Sequence, residues 1–301
     1  MTILQLKYVI TIATSSSMRE AANRLFITQP ALSLAINNIE DELGIALFYR
    51  TNRGISLTKE GEEFLAYAKQ AVSQFEIIED KYQKNRSGQK RFAVSLQHYV
   101  FAIHAFVNTI KQFKEKEYVY SLHETRTDEV LNDVKSLKSE VGIISYSSSN
   151  EKIMMKLLKE YQLKFVPVMK RDTYVYFWNE HPLADKAELS LKDLEDYPCI
   201  SFDQSSENTF YLSEEALSDY DFKKQIKSTD RATTAELMVA LNGYSIGTGI
   251  MIDSYSLKEG FVAIKLKEED PLVIGYIVKE NHALSDIASA FLNEIIQYKD
   301  I

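Results

Sequence analysis

The stretch ANRLFITQPALSLAINNIEDELG, residues 22–44, constrains this chain more than any other. Met18 to Leu25 reads as a short helix. Its Ala21-Ala22 pair is small enough for a following helix to pack close, which a helix-turn-helix requires. Thr28 then stands where an N-cap belongs, and Pro30 sits in the first turn, where a missing N–H costs nothing. The next helix places Leu32, Ile36, Ile39 and Leu43 on one stripe and leaves Gln29, Ser33 and Asn37 on the other side, and Gly44 closes it. Two helices at this spacing present the second one to a DNA groove.

The flanks complete a small domain. Leu4, Tyr8, Val9 and Ile12 recur at helical spacing, and Ser15-Ser16-Ser17 breaks the pattern and caps the Met18 helix. After Gly44, IALFYRTNRGISLT reads as two short strands around a turn at Asn52-Arg53-Gly54, a wing. Thr58 to Gly61 opens a long helix whose Phe64, Ala68, Ala71, Phe75, Ile78 and Tyr82 alternate spacings of four and three. Such a seam predicts a dimer. The polar run NRSGQK, residues 85–90, marks a domain boundary.

Charge sharpens the expectation. Between Gln29 and Gly44 there is no Lys or Arg, and the whole chain has a formal net charge of −8. A protein that coats nucleic acid or anionic membrane over its whole surface is excluded. Across residues 1–60, however, six cations face five acids. A local contact zone on DNA is therefore open, with a modest nonspecific affinity per subunit that two or four copies compensate. The chain's one cysteine, Cys199, excludes an intramolecular disulfide and fits a reducing compartment. No stretch resembles a signal peptide or a bilayer span, so a cytoplasmic protein without membrane partners is expected.

Beyond the boundary, strands alternate with helices. Strands are expected at 92–96, 118–123, 141–146, 164–169, 174–178, 199–202, 225–228, 245–248, 261–265 and 272–278. Helical patterns run over 100–113, 129–137, 232–241 and 284–296. This alternation predicts parallel sheet in doubly wound units, and about two hundred residues of it suit two α/β lobes.

The residues from Leu6 to Ala68 resemble the winged helix-turn-helix domain of LysR-type transcriptional regulators. The likeness runs through Ala21-Ala22, Leu25, Thr28 to Ser33, Ile36, Ile39-Glu40, Leu43-Gly44, Leu47-Phe48, Arg50, Leu57-Thr58 and Gly61. HPLADKAELSLKDLEDYPCISF (181–202) and ELMVALNGYSIGTGI (236–250) resemble that family's effector domain, extending the likeness over nearly the full length. The resemblance implies a multidomain α+β and α/β chain. It has a winged helix-turn-helix at 1–60, a dimerisation helix and hinge at 61–90, and a two-lobed α/β effector domain resembling periplasmic binding proteins at 91–301. Lobe I spans about 91–164 and 268–301, and lobe II about 165–267. The implied function is a sequence-specific DNA-binding regulator of an interrupted palindromic operator, a homodimer or homotetramer modulated by a small molecule. The family often carries basic residues after Ser33, where this chain has Leu34, Ala35, Asn37 and Asn38.

Candidate site residues lie on both parts of the chain. Gln29 and Asn37 can pair in bidentate fashion with adenine, Thr28 and Ser33 can donate to phosphate or bases, and Pro30 can touch a thymine methyl. Arg50 and Arg53 can reach phosphate or the minor groove from the wing. In doubly wound lobes ligands sit beyond the strands' carboxyl ends, against helix N-termini that favour anions. Ser95, Gln97, His98, Thr125, Arg126, Tyr146, Phe202, Asp203 and Thr248 occupy such ends and suggest an amino acid or other small carboxylate. Ser and Thr at such ends also cap helices, so any one of these residues can be structural instead; His98 can be a surface histidine, and Arg126 can pair with Asp128 or Glu129. No hydrolase, P-loop, dinucleotide or metalloprotease motif is present, and the five histidines lack metal-ligand spacing. Neither catalysis, a cofactor nor a metal is expected. The competing reading is a solute-binding sensor with weak or no DNA binding.

Overall fold

A computed structural model describes residues 1–51, 54–82, 90–115, 117–204, 209–251 and 260–300. The chain divides into two compact units, Met1–Gly88 and Gln89–Ile301.

In the first unit, α1 (Ile3–Ala13) opens with a reciprocal cap. Thr2 Oγ1 accepts from Gln5 N at 3.3 Å, and Gln5 Oε1 accepts from Thr2 N at 2.8 Å. Ser17 caps α2 (Met18–Arg24), and Thr28 caps α3 (Gln29–Leu43) by accepting from Ala31 N at 3.4 Å. Gly44 ends α3 in the left-handed region at φ +69°. The strands β1 (Phe48–Thr51) and β2 (Gly54–Leu57) pair antiparallel, as a wing should. Leu32, Ile36 and Ile39 are buried with Val9, Ile12, Ala21, Ala22 and Leu47. Leu43, expected on the same stripe, is instead 36% exposed. The reason is Glu40, whose Oε1 accepts from Leu47 N at 2.7 Å and Phe48 N at 3.1 Å, so that Leu47 closes this end of the core.

The long helix is α4 (Lys59–Tyr82). A Cβ on Gly61 would lie 2.1 Å from Leu47 O, so only glycine lets α4 start this close to the wing. The expected dimer seam is corrected at its first turns. Ala68 is buried with Leu6 and Val72, and Phe64 packs on the same cluster beside Ile3 and Ile10 of α1. Spacings of four carry Phe64, Ala68 and Val72 onto the chain's own first helix. The face left exposed carries Tyr67, Ala71 and Ile78, with Phe75 half-buried.

The second unit holds two sheets. The first has the order β4-β3-β5-β13-β6, from β3 (Lys90–Leu96), β4 (Tyr118–Glu124), β5 (Val141–Tyr146), β6 (Leu163–Arg171) and β13 (Leu272–Lys279). On one face α5 (Val100–Gln112) and α9 (Asp286–Gln297) bury Phe101, Phe106, Phe291 and Leu292 against Phe92 and Ile143. On the other, α6 (Thr127–Lys135) and α7 (Glu151–Glu160) bury Val130, Leu131, Met154 and Leu158. The second sheet has the order β11-β7-β12-β8, from β7 (Tyr174–Trp178), β8 (Glu188–Leu189), β11 (Ser245–Gly247) and β12 (Phe261–Leu266). Beside it β9 (Cys199–Phe202) and β10 (Gln225–Ser228) run parallel, and α8 (Arg231–Leu241) packs against them.

The sheets are mixed where all-parallel ones were expected. The chain leaves the first lobe through β6 and returns through β13, so β13 runs antiparallel to both β5 and β6. In the second lobe β7 is antiparallel to β11 and β12. Because β6 pairs with β13 along its whole length, the crossing out of lobe I lies between Arg171 and Tyr174, not near residue 165. The return crossing, between Leu266 and Leu272, touches it there: Thr173 O accepts from Leu266 N at 3.0 Å, and Thr173 Oγ1 from Asp270 N at 3.0 Å. A third tie joins the lobes. Leu212 is buried in the first lobe's core and Ala216 in the second's, and between them Ser213 O accepts from Asn150 Nδ2 at 3.0 Å. The helix α7 was absent from the sequence expectation, as was the two-residue strand β8.

Candidate functional site

On α3, the face opposite the buried stripe carries Gln29, Pro30 and Asn37 exposed and Ser33 half-buried. Thr28 is exposed too, but its hydroxyl is engaged as the cap. The preceding turn holds Phe26 at φ +54° and fully outside the core. The described cations nearby differ in freedom. Arg24 Nη1 donates to Thr14 O at 2.9 Å and to Ser15 Oγ at 3.0 Å, tying α2 to the end of α1. Arg19 is exposed. Arg50 lies on β1, with its side chain outside the described residues, as is Arg53 altogether.

In the second unit a cavity of about 350 Å³ opens between the lobes. Its polar wall is a cluster of three titratable groups. His98, two residues past the end of β3, lays its ring on Phe202 at the end of β9, with centroids 3.6 Å apart and planes within 3°. His98 Nδ1 lies 2.5 Å from Glu214 Oε1, and the two side chains are only 3% and 6% exposed. Glu214 Oε2 also accepts from His98 N at 3.2 Å. Glu215 Oε1 accepts from Phe202 N at 2.6 Å and its Oε2 from Ser213 Oγ at 2.9 Å. Burial, followed by the charge of Glu214, raises the Glu215 carboxyl to about 7. Burial alone would lower the His98 imidazole, but the hydrogen bond and charge of Glu214, with Glu124 and Glu215 beyond it, outweigh this and leave it raised.

Among the described residues, the cavity's other charged side chain is Arg231, at the start of α8. It grips Glu124 at the end of β4 in bidentate fashion, with Nε–Oε1 at 2.5 Å and Nη2–Oε2 at 2.9 Å. That ion pair also crosses from one lobe to the other. The remaining wall is mainly apolar, with Val100, Tyr176, Met238, Ile246, Ile250 and Phe261 prominent.

Of the nine residues expected to hold an effector, His98, Phe202 and Thr248 line this cavity. The others serve the scaffold. Ser95 Oγ donates to Asp133 Oδ2 at 2.7 Å, inside the first lobe. Gln97 donates to Thr127 Oγ1 at 2.5 Å and accepts from Ser145 N at 2.7 Å. Thr125 bonds Glu129, and Arg126 Nη2 reaches Glu129 Oε1 at 2.7 Å. Tyr146 packs on Phe165 in the core. The Asp203 backbone N–H extends the β9–β10 pairing to Ser228 O at 2.7 Å. The N-terminus of α6, where an anion was expected, is closed by the chain's own Gln204, whose Oε1 accepts from Thr127 N at 3.2 Å. Glu214, Glu215 and Arg231 were missed. The adjacent acids Glu214-Glu215, set between the apolar Leu212 and Ala216-Leu217, were the one available signal.

Comparison with known proteins agrees across the chain. Residues 3–62 match the model of the bacterial regulatory helix-turn-helix proteins of the lysR family, and residues 100–299 match the LysR substrate binding domain. The HTH-type transcriptional regulator YbhD of Escherichia coli is 27% identical over 299 residues, covering 97% of this chain and 90% of its own. YvbU of Bacillus subtilis, another HTH-type transcriptional regulator, is 29% identical over 214 residues, covering 70% and 69%. Among solved structures, the fold is similar to CbnR, a LysR family transcriptional regulator, with a TM-score of 0.63, 17% identity and 99% coverage of both chains. The same score and identity hold for full-length CbnR complexed with its target DNA.

Proposed function

Because the chain belongs to the LysR family of DNA-binding transcriptional regulators, we propose that α3 reads an interrupted palindromic operator and that a small molecule in the interlobe cavity sets its activity. Gln29, Ser33 and Asn37 face base edges, Thr28 and Pro30 meet the groove wall, and Arg50 and Arg53 approach phosphates from the wing. Two chains join along the exposed α4 face of Tyr67, Ala71, Phe75 and Ile78, so that a homodimer spans two half-sites and a homotetramer four. The role is regulatory rather than catalytic, in the cytoplasm. No helix among the described residues is long and apolar enough to cross a membrane.

The effector is an apolar body with a cationic or hydrogen-bond-donating head. One observation carries this. Among the described residues, both cations on the cavity wall are already paired, Arg231 with Glu124 and His98 with Glu214, while the oxygens of the Glu214-Glu215 pair, each accepting one hydrogen bond, keep lone pairs for a further donor. A small carboxylate would meet there only cations whose charge a glutamate already balances. Calorimetric titration of the full-length protein with matched aromatic amines and aromatic carboxylates tests the assignment. Amines are expected to bind and to change operator affinity, and binding confined to the carboxylates would replace this effector class with the other.

A further inference from the structure

Leu34 is an exposed α3 residue that operator reading by Gln29, Ser33 and Asn37 leaves without a role. It is 62% exposed. Single exposed leucines need no explanation in general; the position of this one is what matters. At about 100° of rotation per residue, Leu34 lies roughly 40° from Pro30 and roughly 60° from Asn37 around the helix axis. Ser33 is its chain neighbour. The buried stripe of Leu32, Ile36 and Ile39 lies on the far side of the helix. Any groove that admits Ser33 and Asn37 therefore also receives Leu34.

An isobutyl group at the floor of a major groove has one favourable partner. Phosphates and the base-edge amides, carbonyls and ring nitrogens would lose water against it without gaining a bond, whereas the C5-methyl of thymine is apolar and projects into that groove. The absence of Lys and Arg from Gln29 to Gly44 removes the competing guanine contacts that a basic helix would make. Resting on the assignment of α3 as the reading helix, we infer that Leu34 is a specificity-determining residue that recognises a thymine methyl in each half-site. Pro30, one turn earlier, widens the same apolar strip.

The test uses the full-length chain and synthetic duplexes. Sites are first selected from a random duplex library, and each conserved thymine in the recovered half-site is then replaced by deoxyuridine, which removes only the methyl. One such replacement is expected to weaken binding by the wild-type protein about fourfold per half-site, the worth of one buried methyl-sized group. The same replacement should leave the affinity of Leu34→Ala unchanged, while that variant keeps the wild-type thermal unfolding midpoint. Equal losses for both proteins, or no deoxyuridine effect at any conserved thymine, would overturn the inference while leaving DNA recognition intact. Recovery of no preferred sequence would instead remove the DNA assignment on which it rests.

Discussion

The proposed reading helix and the interlobe cavity are built on opposite plans. On α3, the groups proposed to meet DNA are neighbours in sequence, from Gln29 to Asn37, and a single 3.6-residue period sorts them from the core. In the cavity, the groups that meet come from far apart: His98 and Glu214 are 116 positions from one another, and Glu124 and Arg231 are 107. A helix face is fixed by local geometry and tolerates change at any one exposed site. A cluster assembled across two lobes is mutually dependent, because each buried charge is tolerable only while its partner is in place.

Three outcomes sharpen that contrast. The largest concerns the cavity. Glu214→Ala leaves the His98 imidazole buried without its acceptor, and should lower the unfolding free energy of the second unit by about 3–5 kcal/mol in urea titrations. A loss below about 1 kcal/mol would mean that the cluster is not cooperative. The middle effect is one of pH. Glu215 and His98 both have folded-state values raised above their ordinary ones. The stability each contributes is thus complete at low pH and is lost as pH rises through its folded-state value, for Glu215 between its ordinary 4.5 and about 7. Unfolding of the second unit should therefore become easier from pH 5 to pH 8, by on the order of 1–2 kcal/mol. Glu215→Gln should flatten much of that slope, and an unchanged slope would assign it to other groups. The smallest effect belongs to the helix. Leu43→Ala, at a position the period assigned to the core, should shift stability by no more than about 0.5 kcal/mol, measured as a denaturation midpoint.

The same contrast explains what the sequence revealed. Caps at Ser17 and Thr28, the stop at Gly44 and the stripe of Leu32, Ile36 and Ile39 are local signals, and the structure has each of them. Leu43 and the pair Phe64 and Ala68 were misjudged because periodicity tells which side of a helix is apolar without telling what will cover it. Glu40 reached over to the wing in one case, and α1 packed onto α4 in the other. Most strands of the second unit were readable from their apolar runs. The direction of β13 was not, since it depends on the chain crossing between lobes twice. Ser95, Gln97 and Arg126 share the polar strand-end signature of His98 and Phe202, and only tertiary contacts separate scaffold from cavity wall.

The segment from Leu212 to Ala216 bears on how the sensor can move. Its two ends are rooted in different cores, Ser145 Oγ donates to Glu214 O at 3.3 Å, and Leu217 N donates to Asp270 Oδ2 at 2.9 Å on the return crossing. Because Leu217 is pinned to Asp270 on the return crossing, this segment thickens the joint between the lobes, and a bound guest would have to act through that joint to move one half against the other.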